Sequence, residues 1–180
     1  MKEKGRTEIL VGGFGGQGVV RLGQILGEAV LRQGFRVTML KSHGTEQRGG
    51  YVRSQVVFSS TEIDSPKVEE PDYFLALSSA AYNAYYKLVR DGIILFDPAY
   101  VASVDDASIQ HLSVPARDLA VEKLGNEVFS NSIMLGALTS IAPFLDSDNV
   151  VHTLLDIVPR FKEENRQAFE IGLSLNKTDH

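Results

Sequence analysis

A glycine-rich turn between a strand and a helix constrains this chain more than any other feature of its sequence. Residues 13–18 read GFGGQG, follow the apolar run 9–11 and precede a helical pattern over 19–33. Backbone N–H groups and the helix dipole at such a turn favour an anion, and the missing side chains let a ligand approach. Three of the glycines fit the G-x-G-x-x-G spacing of dinucleotide-binding folds: Gly13, Gly15 and Gly18.

Strand and helix patterns alternate through the first two-thirds of the chain. Apolar runs predict strands over 8–11, 35–40, 52–58, 73–77, 93–96 and 109–114. Helical periodicity predicts helices over 18–33, 79–90, 115–124, 131–144, 148–161 and 163–175. The alternation predicts an α/β fold, a single doubly wound, mostly parallel and Rossmann-like sheet with helices on both faces. With 180 residues and no internal repeat, we expect one domain over 1–180.

Composition excludes several classes of function. The net charge of -5 argues against a nucleic-acid partner, and no apolar run is long enough for a membrane span. The absence of cysteine excludes disulfides and cysteine-ligated iron–sulfur clusters on this chain. The four histidines form no metal-ligand spacing, so we expect no metal site. The first residues carry no secretory signal, and we therefore expect a cytoplasmic location.

The end of the second predicted strand disagrees with an NAD site. An acidic residue is needed there for the ribose hydroxyls, but residues 39–42 read MLKS. Lys41 could meet a 2′-phosphate, which keeps a stand-alone NADP-binding module open as an alternative. The glycine turn is not a P-loop either, because Val19 and Val20 stand where that motif has lysine and serine or threonine.

A second polar, glycine-rich stretch follows at residues 42–50, on the expected carboxyl edge of the sheet. Arg48 could bind a phosphate or carboxylate through both arms of its guanidinium, and Glu46 could hold Arg48 or contact another subunit. On the first turn, the Gln17 amide could orient a ligand. His43 is interpreted as a surface residue. We assign no catalytic residue to this chain, and we expect these residues to face a ligand or partner: Gly13, Gly15, Gly16, Gln17, Gly18, Glu46, Arg48, Gly49 and Gly50.

The two motifs together, GFGGQG at 13–18 and EQRGG at 46–50 before a strand, resemble the gamma subunit of 2-oxoacid:ferredoxin oxidoreductases. The resemblance covers nearly the whole chain. It implies a subunit of an enzyme that oxidatively decarboxylates a 2-oxoacid to an acyl-CoA and carbon dioxide and reduces ferredoxin. This family includes enzymes for pyruvate, 2-oxoglutarate, 2-oxoisovalerate and indolepyruvate.

The resemblance also implies how the work is divided among subunits. Thiamine diphosphate and Mg²⁺ are expected on the alpha and beta subunits, and the iron–sulfur clusters on beta or a ferredoxin-like delta subunit. Coenzyme A is expected as co-substrate, with the gamma subunit forming part of the wall on its side of the active site. The isolated chain is expected to bind none of these cofactors alone and to be inactive. The indolepyruvate branch and a non-catalytic assembly domain remain open as further alternatives.

Overall fold

A computed structural model of the chain describes residues 5–43, 51–104 and 108–176. Over these residues the chain forms six strands and six α-helices. It divides into two compact units, Met1–Ser113 and Val114–His180. The single domain expected over 1–180 stays a prediction.

The first unit contains the sheet. Its elements are β1 (Arg6–Phe14), α1 (Val19–Arg32), β2 (Arg36–His43), β3 (Tyr51–Ser59), β4 (Tyr73–Ala76), α2 (Ser79–Tyr85), β5 (Ile93–Phe96) and β6 (Gln110–Ser113). The strand order is β2-β3-β1-β4-β5-β6. β1, β4, β5 and β6 pair in parallel, whereas β3 runs antiparallel to both of its neighbours. The predicted α/β class with a mostly parallel sheet is confirmed.

The position of β3 differs from the simple strand–helix–strand unit expected for residues 8–40. β3 lies between β1 and β2, so these two strands run in the same direction without pairing. The connection from His43 to Tyr51 is too short for a crossover to a parallel strand, so β3 returns antiparallel to β2, and its other edge pairs with β1.

Two helices cover opposite faces of this sheet beside the end of β1. Side chains on neighbouring strand residues point to opposite faces. A Cβ added to Gly12 would meet Ala81 of α2, whereas one added to Gly13 would meet Val19 of α1. α1 also lies very close to β3, because a Cβ on Gly23 would come within 2.6 Å of Ser54 Cβ. The glycine turn therefore begins where α1 and α2 both pack closely against the sheet, one on each face.

An ion-pair network fixes the segment 61–72 at the amino end of β1. Glu8 is only 5% exposed, and its carboxylate accepts hydrogen bonds from Arg6 Nε and from the backbone N–H groups of Glu69 and Glu70. Arg6 extends the network to Asp64 and to the carbonyl of Ser65. This segment is held against the start of the strand.

Over residues 114–176, the second unit forms four α-helices: α3 (Ala116–Leu124), α4 (Ser130–Ile141), α5 (Ser147–Ile157) and α6 (Lys162–Ser174). Gly125, at φ 74°, ends α3. Asp146 caps α5, which was predicted to begin at residue 148, by accepting the Asn149 N–H at 2.8 Å. Asn131, where the predicted helix over 131–144 begins, lies inside α4, which continues directly from the 3₁₀ turn Glu127–Phe129.

Candidate functional site

The glycine turn 13–18 lies at the carboxyl end of β1, which is the edge where α/β sheets bind ligands. Gly16 and Gly18 adopt φ angles of 88° and 76°, a left-handed conformation that other residues rarely reach. Gly18 is also the N-cap of α1. Gly15 and Gly16 are exposed, so the turn presents backbone without side chains to its surroundings at these two positions.

Gln17 binds the turn to the neighbouring strand. Its Oε1 accepts the Phe14 N–H at 2.5 Å, and its Nε2 donates to the Leu77 carbonyl at 3.0 Å, directly after β4. A Cβ on Gly13 would lie 2.7 Å from Gln17 Oε1, so the glycine makes room for the amide. Gln17 thus has a structural role that the sequence analysis missed, and its ligand-orienting role stays a prediction.

Replacing Gln17 with methionine is expected to destabilise the fold by about 1–2 kcal/mol, because both hydrogen bonds are lost while the length of the side chain is kept. Gln17→Glu keeps the acceptor for the Phe14 N–H and loses the donor for the Leu77 carbonyl, so an intermediate loss is expected. Urea denaturation of the full chain, followed by circular dichroism, measures both. Equal stability of Gln17→Met and the native chain would show that the amide does not hold the turn.

A cluster of arginine and tyrosine side chains lies at the same edge. Arg53 of β3 pairs in register with Ser42 of β2, and its Nε donates to the Ser42 hydroxyl at 2.8 Å. The guanidinium carbon lies 5.3 Å from the centre of the Tyr85 ring, and Tyr51 packs edge-on against the same ring at 5.5 Å. All four side chains are half-buried. Neither Arg53 nor Tyr85 was predicted from the sequence as a site residue.

Tyr85 stays uncharged beside Arg53. Burial, followed by its hydrogen bond with Tyr51, raises the pKa of Tyr85 to about 12, although nearby Arg53 acts in the opposite direction. The phenol is therefore protonated at neutral pH and does not neutralise the guanidinium. The cluster carries a net positive charge at an edge where an anion is expected.

The structure brings five of the predicted site residues together on the turn: Gly13, Gly15, Gly16, Gln17 and Gly18. The other four lie outside the described residues: Glu46, Arg48, Gly49 and Gly50. Lys41 is exposed and pairs with Ser54, whose side chain faces α1, so Lys41 lies on the opposite face from Arg53.

No group of three His, Cys, Asp or Glu side chains that could hold a metal ion occurs over 5–43, 51–104 and 108–176. Across the same ranges, none of the helices combines the length and apolar character that crossing a membrane requires.

Comparison with known proteins assigns this chain to a protein family. The family model described as pyruvate ferredoxin/flavodoxin oxidoreductase matches residues 8–175. The chain belongs to this family. It is 37% identical to the 2-oxoglutarate synthase subunit KorC of Methanothermobacter thermautotrophicus, over 94% of this chain and 95% of the relative. It is 35% identical to KorC of Methanocaldococcus jannaschii, over 97% and 96%.

Solved structures agree with this assignment. The gamma subunit of a keto/oxoacid ferredoxin oxidoreductase from Geobacter sulfurreducens superposes with a TM-score of 0.81 at 29% identity, covering 93% of this chain and 96% of that chain. The family recognised from the two glycine motifs is confirmed, and the chain is homologous to oxidoreductase subunits. The indolepyruvate alternative is not better supported, since IorB of Pyrococcus horikoshii is 26% identical.

Proposed function

We propose that this chain is the gamma subunit of a 2-oxoglutarate:ferredoxin oxidoreductase. The similarity to KorC subunits carries this proposal, since relatives of that name are 33–37% identical over nearly the whole chain. A pyruvate synthase subunit, PorC of Methanothermobacter marburgensis, is 27% identical. The complex would convert 2-oxoglutarate and coenzyme A to succinyl-CoA and carbon dioxide while reducing ferredoxin. A cytoplasmic location belongs to the same proposal and rests on the sequence.

The fold of a larger enzyme supports a multi-subunit arrangement. The 2-oxoglutarate:ferredoxin oxidoreductase from Magnetococcus marinus, solved with 2-oxoglutarate, coenzyme A and succinyl-CoA, contains a region that superposes with a TM-score of 0.86. This chain covers 32% of that chain at 24% identity, which relates the two by fold. In the proposed complex, separate alpha and beta subunits, with a delta subunit where present, supply the remaining parts.

In the proposed complex, thiamine diphosphate, Mg²⁺ and the iron–sulfur clusters would be bound by partner subunits. The described residues offer no cluster suited to Mg²⁺, and the sequence has no cysteine for an iron–sulfur cluster. Thiamine diphosphate, when bound by the partners, supplies the chemistry that stabilises the carbanion formed on decarboxylation. This chain would contribute the glycine turn and the neighbouring carboxyl edge as a wall facing those subunits and coenzyme A.

An assay of the purified complex with a panel of 2-oxoacids tests this function. With coenzyme A and ferredoxin present, we expect the kcat/KM for 2-oxoglutarate to exceed that for pyruvate, 2-oxoisovalerate and indolepyruvate by about tenfold or more, as expected when buried polar groups select one substrate. The isolated chain should show no turnover. A higher kcat/KM for another 2-oxoacid would overturn the substrate assignment.

Two observations separate the alternative functions. Micromolar binding of NADPH to the isolated chain would favour the NADP-binding module. Unchanged turnover in variants of the glycine turn, with the complex still assembled, would favour an assembly domain without a part in the active site.

A further inference from the structure

Arg53 differs from the other half-buried arginine of the sheet in the partners that it has. Arg6 pairs with Glu8 and Asp64 and donates to backbone carbonyls at 2.8 and 2.9 Å. Arg53 has a hydroxyl and aromatic rings around it, and no described residue supplies it with a carboxylate within ion-pair distance. A half-buried charge without a counter-ion is costly unless a ligand supplies one.

The surroundings of Arg53 hold its guanidinium in a fixed orientation. Ser42 accepts the Nε hydrogen, and the Tyr85 ring lies against the guanidinium. Arginine has five N–H donors, and the Ser42 and Tyr85 hydroxyls accept only part of them, so further N–H groups are left for a ligand. These N–H groups can donate to the oxygens of a carboxylate or phosphate. The side chain is therefore pre-organised, so a bound anion would not have to order it.

The location of Arg53 connects it with the glycine turn. In the pairing of β1 with β3, Arg53 lies opposite Gly12 and Tyr51 lies opposite Phe14, the second residue of the turn. Phe14 is 43% exposed. Arg53 therefore lies at the same edge of the sheet, the carboxyl end of β1, as the exposed backbone of the turn.

We propose that Arg53 binds an oxyanion of a co-substrate, either a phosphate of coenzyme A or a carboxylate of the 2-oxoacid, beside the aromatic wall of Tyr51 and Tyr85. This inference rests on the proposed function for the identity of the two ligands. Both ligands offer the same chemistry to the guanidinium, so kinetics must distinguish them.

The test compares Arg53→Gln with Arg36→Gln in the assembled complex. Arg36 is an exposed arginine at the amino end of β2, whereas Ser42, which pairs with Arg53, lies near the carboxyl end of that strand. The control therefore removes the same charge from the same sheet. The KM for coenzyme A and the KM for the preferred 2-oxoacid are measured separately, with the other substrate saturating. Arg53→Gln is expected to raise one of them by about tenfold or more, the loss expected for one charge-assisted hydrogen bond, while Arg36→Gln changes neither.

The pattern of results identifies the ligand or rejects the proposal. A higher KM for coenzyme A assigns the site to a phosphate, and a higher KM for the 2-oxoacid assigns it to a carboxylate. Arg53→Lys should recover part of the affinity, because it keeps the charge and loses the fork. Unchanged values of both KM, or loss of subunits from the Arg53→Gln complex, would overturn the site. Because the preferred substrate of the wild-type complex is used, an error in the proposed 2-oxoacid does not affect this result.

Discussion

Replacing Gly172 with alanine is expected to destabilise the chain by about 3 kcal/mol or more, because α4 and α6 cross with their backbones in contact. A Cβ on Gly172 would overlap the Ile133 carbonyl oxygen and lie 2.8 Å from the Ala137 nitrogen. The contact is reciprocal, since a Cβ on Gly136 would overlap the Phe169 carbonyl oxygen. Backbone atoms on both helices cannot move aside as a flexible side chain would, so the helices must separate.

Gly27→Ala is the matched control for this prediction. Gly27 also lies inside a helix, α1, but its added Cβ would meet Val37 Cγ1 at an ordinary 3.6 Å. Alanine is the better helix former, so Gly27→Ala is expected to stabilise the chain by about 0.5–1 kcal/mol. Urea denaturation of the full chain measures both variants, and the yield of folded chain reports on Gly172→Ala if it fails to fold. Similar stability changes for the two variants would contradict the close crossing.

Local patterns predicted the elements well where a single stretch of sequence decides them. The strand expected at 93–96 is Ile93–Phe96, and the helix expected over 18–33 is Val19–Arg32, followed by Gly34 at φ 91°. The helix expected over 79–90 is shorter and gives way to the 3₁₀ turn Tyr86–Leu88. Helical periodicity alone does not distinguish these two kinds of turn.

Long-range pairing decided what the sequence could not predict. β3 is inserted between β1 and β2 because it pairs with both, and that choice depends on the register of three strands rather than on any of them alone. Gly136 and Gly172 look unfavourable in their helices when read locally, and their value appears only where the helices cross.

The candidate site also combines a local motif that the sequence predicts with long-range contacts that it does not. The glycine turn is a local motif, and the sequence placed it correctly at a strand end. Ser42, Arg53 and Tyr85 come from three elements, so no spacing in the sequence links them. Gln17 likewise finds its acceptor 60 residues away, at Leu77. Side-chain partners of this kind become visible only when the sheet is assembled.

Removing the Glu8 carboxylate is expected to cause the second large loss of stability, of about 3–5 kcal/mol for Glu8→Ala. The Arg6 side chain would keep its contacts with Asp64 and the Ser65 carbonyl but lose its buried counter-ion. The N–H groups of Glu69 and Glu70 would lose their shared acceptor, Oε2, which lies 2.7 and 2.9 Å from them. Denaturation of the full chain in urea measures this loss.

Glu8→Gln keeps the shape of the side chain and removes its charge. In either orientation of the new amide, its nitrogen would face an N–H donor, either Arg6 Nε or the backbone N–H groups of Glu69 and Glu70. We expect a smaller loss, of about 1–3 kcal/mol. The control is Glu28→Gln on α1, whose ion pair with Arg32 is exposed and should contribute about 0.5 kcal/mol or less. A loss for Glu8→Gln no larger than for Glu28→Gln would show that the network does not hold the segment 61–72. Because Glu8 lies near the amino end of β1 and the glycine turn at its carboxyl end, both Glu8 variants should lower stability without changing either KM, whereas Arg53→Gln is expected to raise one of them.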